Sequence, residues 1–261
     1  MLDRVTTEHG GRDRLAAFLI GQGVELGPGH VPFEVPNGLE LTFVDRWQPA
    51  ELARLFPEIP EALITQPDVI ADFDTDRLSP LADESQDFVI CSHVLEHLAE
   101  PIGFVAEIYR VLRPGGLALI MLPDRGRTFD RTRPPTTLEH VVQEYRTGVT
   151  VVDDDHVTEF LVHTTPSDGQ KVLDRAPGDA ERAAILEFHR QRSIHVHCWS
   201  DDEFLPVLLY GIRHLGQRWM LMDRVHPGDE GFEFGFVLKR RGEWRPARRL
   251  ARQFAEAWDR F

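Results

Sequence analysis

The chain has few cysteines and no long apolar run, and these absences exclude several classes of protein. Only Cys91 and Cys198 occur among 261 residues, and their spacing suits neither a metal site nor a disulfide framework. Nowhere do about 18 apolar residues follow one another, so the sequence predicts no membrane span. The first residues also lack the apolar core of a secretory signal. We therefore expect a cytoplasmic protein with buried, free thiols.

Positive charge is also scarce. The sequence has 29 Lys and Arg residues against 43 Asp and Glu residues, a formal net charge of -14. Because nucleic acids are bound by positive surfaces, we expect no nucleic-acid partner, and a small neutral substrate fits the charge better. The exception is the basic stretch 239–261, which is a candidate contact for a second subunit in a homodimer.

A glycine turn follows the first apolar run of the chain. Residues 23–30 read Gly-Val-Glu-Leu-Gly-Pro-Gly-His, a pattern that predicts a buried strand and a sharp turn where a ligand approaches the backbone. A dinucleotide fingerprint needs a third glycine, which is missing here. The carboxylate of Glu25 would repel a pyrophosphate and attract a cation. The turn therefore favours a cationic cofactor.

A second apolar run, residues 39–45, ends on Asp45. In an open α/β sheet the ligand lies at the carboxyl ends of the strands, and an acid at such an end binds the ribose hydroxyls. Together with the glycine turn, Asp45 indicates a cofactor that contains a nucleoside.

Four segments in this order resemble the class I S-adenosylmethionine-dependent methyltransferases. They are Val24–Gly29, Asp45, Asp87–His97 (DFVICSHVLEH) and Arg110–Pro123 (RVLRPGGLALIMLP). The resemblance implies an α/β fold with a Rossmann-like, mostly parallel sheet and an antiparallel terminal hairpin. It also implies S-adenosylmethionine as the cofactor. The cofactor-binding residues that we predict are Glu25, Gly27, Gly29, Asp45, Asp72, Phe73 and Ser92, with Asp72 reading the adenine amino group and Phe73 forming a wall of its pocket.

The resemblance weakens after the fifth predicted strand. We expect residues 1–123 to form the cofactor-binding core and residues 124–194 to form a substrate-binding lid inserted after that strand. Residues 195–261 should return to the core, because Ser200 and Glu203 form a capping box that starts a helix. Two strands joined by a Pro-Gly turn and the basic tail complete the chain.

Transfer of a methyl group to a hydroxyl needs a base or a metal ion that activates the oxygen. His140 and His93 are the candidate bases. His195 and His197 would share one face of a strand, and with Asp155 they form a candidate site for Mg²⁺ or Mn²⁺ rather than zinc, since no cysteine pattern accompanies them. The sequence leaves the base and the metal as open alternatives.

The polar composition of the insertion favours a hydroxyl-rich acceptor, a sugar or a short oligosaccharide. The candidate substrate-binding residues are Asp124, Tyr145, His156 and Trp199. The segments Pro123–Arg125, Thr128–Arg131, Glu139–His140 and His195–Trp199 are similar to those of bacterial saccharide methyltransferases, including ones from mycobacterial methylated-polysaccharide pathways. This resemblance implies magnesium-assisted O-methylation of a sugar. The alternatives are N- or C-methylation of another small metabolite, a non-catalytic protein that binds S-adenosylmethionine, and a nicotinamide-dependent dehydrogenase.

Overall fold

The computed structural model describes residues 10–164, 178–228 and 231–242. These residues form a seven-stranded sheet in the order β3-β2-β1-β4-β5-β7-β6. The strands are β1 Gln22–Leu26, β2 Glu40–Asp45, β3 Val69–Ile70, β4 Gln86–Ser92, β5 Leu112–Pro123, β6 Trp219–Val225 and β7 Glu233–Arg240. β1 to β5 pair in parallel, whereas β7 is antiparallel to both β5 and β6. This confirms the predicted α/β fold with its antiparallel terminal hairpin.

The alternation of side chains along the central strands produces a core on each face of the sheet. In β4, Phe88 and Ile90 pack on one face with Leu15 of the first helix. Val89 and Cys91 point to the other face, where the larger core lies. Because helices cover both faces, these strands are apolar throughout and do not alternate with polar residues.

Seven α-helices accompany the sheet in the described residues. They are α1 Gly10–Ala16, α2 Pro49–Leu55, α3 Pro101–Val111, α4 Leu138–Thr147, α5 Asp154–His163, α6 Asp179–Gln191 and α7 Asp201–His214. The predicted capping box of Ser200 and Glu203 is present at the start of α7. Within these same three ranges, no helix is long and apolar enough to cross a membrane.

Residues 124–194, which we predicted as an insertion after β5, contain helices and contribute to a small apolar cluster. α4, α5 and α6 all lie within this range, and Val157, Leu161 and Leu186 pack with Ile194 and Val196 from the segment that follows. α4 begins at a Thr137 cap and ends at Gly148, which adopts a left-handed conformation. The insertion is therefore held by apolar packing as well as by its polar residues.

The strand expected around residues 195–199 does not form. The amides of Val196 and His197 both donate to the carbonyl of Glu96, at 2.7 and 3.0 Å, so they are not available to pair with a neighbouring strand. Trp199 makes an isolated bridge with Asp124. His195 and His197 consequently do not share one strand face. The basic tail lies outside the described residues from position 243 onward.

Candidate active site

A cavity of about 620 Å³ opens at the carboxyl ends of β1, β2 and β4. This is the edge of the sheet where ligands bind in open α/β folds. We call it the crevice. Six of the seven predicted cofactor residues line it: Glu25, Gly27, Gly29, Asp45, Phe73 and Ser92.

The glycine turn exposes bare backbone to the crevice. Gly27 and Gly29 have φ angles of 63° and 52°, a left-handed conformation that other residues adopt at a cost. A Cβ atom at Gly27 would lie 3.0 Å from Val94 Cγ2, whereas nothing lies within 4 Å of one at Gly29. The turn therefore leaves room beside Gly29 for a ligand, and the residues present fit a nucleoside cofactor.

Glu25 places an incompletely bonded carboxyl group beneath this turn. Its Oε1 accepts a hydrogen bond from the Phe33 amide at 2.8 Å, while its buried Oε2 has no hydrogen-bond partner in the described part of the chain. Burial raises the pKa of Glu25 to about 7. A cationic ligand would stabilise the ionised form, since opposite charges attract strongly at a desolvated site.

Asp45 is held at the end of β2 by backbone donors. Its carboxylate accepts hydrogen bonds from the amides of Arg46 at 2.6 Å and Gly29 at 3.4 Å. The pKa of Asp45 is raised because burial disfavours its charge more than these bonds favour it. The carboxylate thus faces the crevice beside the glycine turn, as a ribose-binding acid requires.

The acid-rich exit of β3 presents Asp74 rather than Asp72 to the crevice. Asp72 accepts from the amides of Asp74 and Thr75 and pairs with Arg46 at 2.8 Å, and it lines the adjoining cavity. Asp74 lines both cavities, and burial raises its pKa to about 6. The two acids alternate within one tight turn, so the sequence pattern does not distinguish their directions.

His93 follows β4 and lies between two carboxylates. Its Nε2 is 2.8 Å from Glu233 Oε2 and its Nδ1 is 3.4 Å from Glu96 Oε1. Burial would lower the pKa of His93, but these two carboxylates outweigh it and raise the pKa to about 9. His93 is therefore protonated at neutral pH and has no lone pair to accept a proton.

His97 is a candidate base in addition to the predicted His93 and His140. Its Nδ1 lies 2.9 Å from the carbonyl oxygen of Ile194. Because a carbonyl only accepts, Nδ1 carries the proton and Nε2 keeps its lone pair. Burial lowers the pKa of His97, so the ring is neutral at pH 7. The contact with Ile194 joins positions 97 residues apart, and no local pattern could have predicted it.

His97 belongs to a group of possible metal ligands with Glu96 and His195, which we call the crevice cluster. His195 Nδ1 is 2.6 Å from Asp130 Oδ2, and Asp130 in turn pairs with the buried Arg133 at 2.8 Å. Burial opposes ionisation of Glu96, but the neighbouring histidines lower its pKa to about 2. The cluster therefore combines one fixed negative charge with two oriented imidazoles.

A second cavity, of about 510 Å³, adjoins the crevice. It shares five lining residues with the crevice: Arg46, Trp47, Asp74, His97 and Ser193. Its remaining wall combines apolar residues with charged and polar residues of α2 and α6, among them Glu51, Arg54, Glu187, Arg190 and Gln191. This cavity has room for an acceptor next to His97.

Four other residues form a separate group inside the insertion: His140, Glu144, His156 and His197. We call it the insertion cluster. None of the four lines either cavity. Two of them were predicted elsewhere, His140 as a base and His156 as a substrate ligand, and both lie here instead of at the crevice.

The other predicted site residues also lie away from the two cavities. Asp155 is exposed in the first turn of α5, apart from both clusters. Tyr145 packs at the edge of the main core, and Asp124 caps the Gly126 amide. Trp199 is buried, donates its indole N–H to the Thr136 carbonyl and stacks on His197. The Trp199 ring therefore has no free face for a sugar.

Comparisons with known proteins give one family match in the central part of the chain. Residues 27–120 match the family described as a methyltransferase domain. The match begins at Gly27 and ends inside β5, so it includes most of the residues that line the crevice but not Glu25. With the order of the sheet, it supports a class I S-adenosylmethionine-dependent methyltransferase.

Individual relatives match over short stretches. The chain is 50% identical over 46 residues to a probable S-adenosylmethionine-dependent methyltransferase of Mycolicibacterium smegmatis, which is 18% of each chain. It is 51% identical over 41 residues, 16% of each chain, to an uncharacterised methyltransferase of Mycobacterium ulcerans. The aligned stretches thus span less than a fifth of these relatives.

Among solved structures, the fold is similar to that of a Rhodobacter sphaeroides protein provisionally described as a Zn-dependent alcohol dehydrogenase. The TM-score is 0.54 at 15% identity, over 88% of each chain. At this identity the likeness shows the fold alone.

Proposed function

We propose that this protein is an S-adenosylmethionine-dependent O-methyltransferase that acts on a hydroxyl of a sugar or short oligosaccharide. The observation that carries the proposal is the placement of His97, which lines both the crevice and the adjoining cavity and whose Nδ1 contact with the Ile194 carbonyl leaves a lone pair on Nε2. S-adenosylmethionine, when bound, supplies an electrophilic methyl group on a sulfonium. Everything else in the reaction falls to the chain's own residues.

Binding and orientation fall to the residues around the glycine turn. Asp45 would accept hydrogen bonds from the ribose hydroxyls, and the ionised Glu25 would attract the cationic end of the cofactor. Phe73, which packs 5.3 Å from Phe104 between ring centroids, supplies an apolar wall. Asp74 is a further candidate for reading the adenine because its carboxyl group borders the crevice.

Proton removal falls to His97. The carbonyl of Ile194 fixes its tautomer, and the anionic Glu96, 3.8 Å from Nε2, stabilises the imidazolium that forms when the acceptor hydroxyl loses its proton. His93 is already protonated and contributes positive charge near Glu96 and Glu233. In this arrangement His97 is the base and His93 is a positioning residue.

The polar acceptor is supported by the lining of the adjoining cavity. Trp47 borders both cavities, and charged residues of α2 and α6 supply hydrogen-bond donors and acceptors. A sugar matches this combination, since it offers apolar ring faces and many hydroxyls. A cytoplasmic location and a homodimer remain expectations.

A divalent metal ion is the alternative means of activating the hydroxyl. The crevice cluster would hold it, through Glu96, His97 and His195, and magnesium or manganese would then replace the base. N- or C-methylation of a small metabolite is the alternative reaction, and cofactor binding without turnover is the alternative role.

The test is methyl transfer from S-adenosylmethionine to a panel of mono- and disaccharides, followed as S-adenosylhomocysteine release, with and without chelator. We expect turnover that resists the chelator and is lost in His97→Gln while S-adenosylhomocysteine still binds. Turnover that needs added magnesium would establish the metal alternative. Turnover only on amines would establish N-methylation, and binding without turnover on any acceptor would contradict the proposal.

A further inference from the structure

The insertion cluster brings four ligand-type side chains together from three segments. His140 and Glu144 lie four residues apart on one face of α4, His156 lies in the first turn of α5, and His197 comes from the segment after α6. Their ligand atoms all lie within 4.8 Å of one another. These four residues are separated by up to 57 positions in the sequence, so only the fold assembles them.

The distances between the nitrogen and oxygen atoms of these four side chains match those between the ligand atoms around one metal ion. His140 Nε2 and His156 Nε2 lie 2.9 Å apart, and each lies 3.1 Å from Glu144 Oε1. His197 Nε2 lies 3.5 Å from Glu144 Oε2. Around a tetrahedral zinc ion, ligand atoms at zinc–nitrogen bond lengths are separated by about 3.3 Å. This separation lies between the shortest and the longest of these distances, 2.9 and 3.5 Å.

The buried members of the cluster have no partners outside it. Both ring nitrogens of His197 have no hydrogen-bond partner among the described residues. Glu144 Oε1 lies 3.1 Å from two imidazole nitrogens of the cluster itself, and no described group outside the cluster satisfies the Glu144 carboxylate. The His197 side chain is 0% exposed and that of Glu144 is 7% exposed. Buried polar atoms without partners are costly and rare, so these atoms point to a ligand that satisfies them.

Asp153 provides the outer contact that ligand histidines usually have. Its Oδ1 lies 2.8 Å from His156 Nδ1 and also accepts the His156 amide. The carboxylate fixes the proton on Nδ1 and leaves the Nε2 lone pair directed at the cluster. A carboxylate behind an imidazole is the common arrangement around protein-bound metal ions.

We propose that the insertion cluster is a structural zinc site with His140, Glu144, His156 and His197 as its four ligands. Three imidazoles and one carboxylate suit zinc, whereas magnesium and calcium prefer oxygen ligands throughout. Four protein ligands leave no open position, which is the property of structural zinc sites. The site takes no part in the proposed reaction, and the inference does not depend on that reaction.

The ion would fasten the insertion to the sheet. It joins α4 and α5 to the segment whose Val196 and His197 amides donate to the Glu96 carbonyl, beside the crevice. The half-exposed His140, with 45% of its side chain accessible, provides the route by which the ion enters. The position of the adjoining cavity's wall, which includes Val152 and Val196, would then depend on zinc.

The test measures metal binding by the full-length chain after removal of any affinity tag and of bound metal with a chelator. We expect one zinc ion per chain by elemental analysis, and a tetrahedral visible spectrum when cobalt replaces zinc. His140→Ala and Glu144→Gln should each weaken zinc binding at least tenfold, roughly, and Asp153→Asn by about 10–100-fold. The matched control is His163→Ala, an exposed histidine on α5 that should bind zinc like the wild type.

Folding is checked in the same samples, since circular dichroism and S-adenosylhomocysteine binding report on the core. His140 is partly exposed, so its loss should leave both unchanged. Absence of zinc binding by the folded wild type would overturn the inference. Equal zinc binding by wild type, His140→Ala and Glu144→Gln would also overturn it, because the ion would then belong to other groups.

Discussion

The crevice cluster and the insertion cluster contain the same residue types, histidine and glutamate, on either side of the segment 195–197. In the crevice cluster each histidine has a partner outside the group, since His97 donates to the Ile194 carbonyl and His195 contacts Asp130. In the insertion cluster His197 has none among the described residues, and the ligand atoms face one another. In the crevice cluster the external partners fix the tautomer of each imidazole. In the insertion cluster His156 also has such a partner, Asp153, but the ligand atoms of three imidazoles and one carboxylate lie close together, and this convergence is what provides a site for an ion.

Of the changes that distinguish the roles of the two clusters, His97→Gln should have the largest effect on turnover. Loss of a general base lowers turnover by about 10²–10⁴-fold, and zinc content should not change because His97 lies outside the insertion cluster. Turnover is measured as S-adenosylhomocysteine release and zinc by elemental analysis. The control is His163→Ala, and turnover of His97→Gln within a few-fold of the wild type would contradict the assignment.

Asp45→Asn tests the cofactor end of the crevice. Hydrogen bonds to a charged group contribute about 1.5–3 kcal/mol, so S-adenosylhomocysteine should bind roughly 10–100-fold more weakly. Calorimetric titration measures the affinity. Asp68→Asn is the matched control, because the Asp68 carboxylate accepts the Phe43 amide and lines neither cavity. Equal weakening by both changes would show a general effect on β2 instead of a ribose contact.

The ionisation of Glu25 should make cofactor affinity depend on pH. The pKa of about 7 in the free protein means that the carboxyl group is mostly protonated at pH 6 and mostly ionised at pH 8. Since a cation prefers the ionised form, affinity for S-adenosylhomocysteine, through its ammonium group, should rise about tenfold over this interval.

Calorimetry in buffers of different ionisation enthalpy should also detect a proton released on binding near pH 6. Glu25→Gln should bind with little dependence on pH. For stability the sign is reversed, because the raised pKa makes the folded state bind more protons than the unfolded state between pH 4.5 and 7. The contribution of Glu25 to the free energy of unfolding therefore falls as pH rises through that window.

Metal removal should affect stability more than turnover. With free zinc at 100 times its dissociation constant, binding stabilises the fold by about 2.7 kcal/mol, which corresponds to a Tm roughly 5–10 °C higher. Turnover at 25 °C should change less than tenfold, since the insertion cluster lines neither cavity. If neither zinc nor chelator changes the Tm, the insertion cluster is not a structural zinc site, and the proposed difference between the two clusters is wrong.

The cofactor side of the molecule was predictable because its signals are local. The glycine turn and Asp45 at a strand end each depend on a few consecutive residues, and so does the capping box of Ser200, which lies outside the site. The structure contains all three. The acceptor side was not predictable from the sequence, because it is formed by residues that are distant from one another in the chain. The alternation of His195 and His197 predicted that both side chains lie on one face of a strand. Instead, the Glu96 carbonyl accepts hydrogen bonds from the amides of Val196 and His197, no strand forms, and the two imidazoles lie in different clusters.

The same holds for Asp72 and Asp74, and for Trp199. Tight turns allow neighbouring carboxylates to point in different directions, and burial of an aromatic ring depends on what packs over it. Trp199 is covered by His197 and by Phe204, whose ring centroid lies 5.3 Å away. Periodicity indicates which residues are apolar, but it does not indicate which of them are covered.

The segment 195–197 contributes His195 to the crevice cluster and His197 to the insertion cluster, so the two clusters are coupled in evolution. A substitution that alters one imidazole shifts the backbone that carries the other, and both amides of Val196 and His197 are tied to one carbonyl oxygen. We therefore expect a substitution in one cluster to be accepted during evolution only when it is accompanied by a substitution in the other. Among descendants of a common ancestor, positions 96, 97, 144, 195 and 197 should vary as a unit.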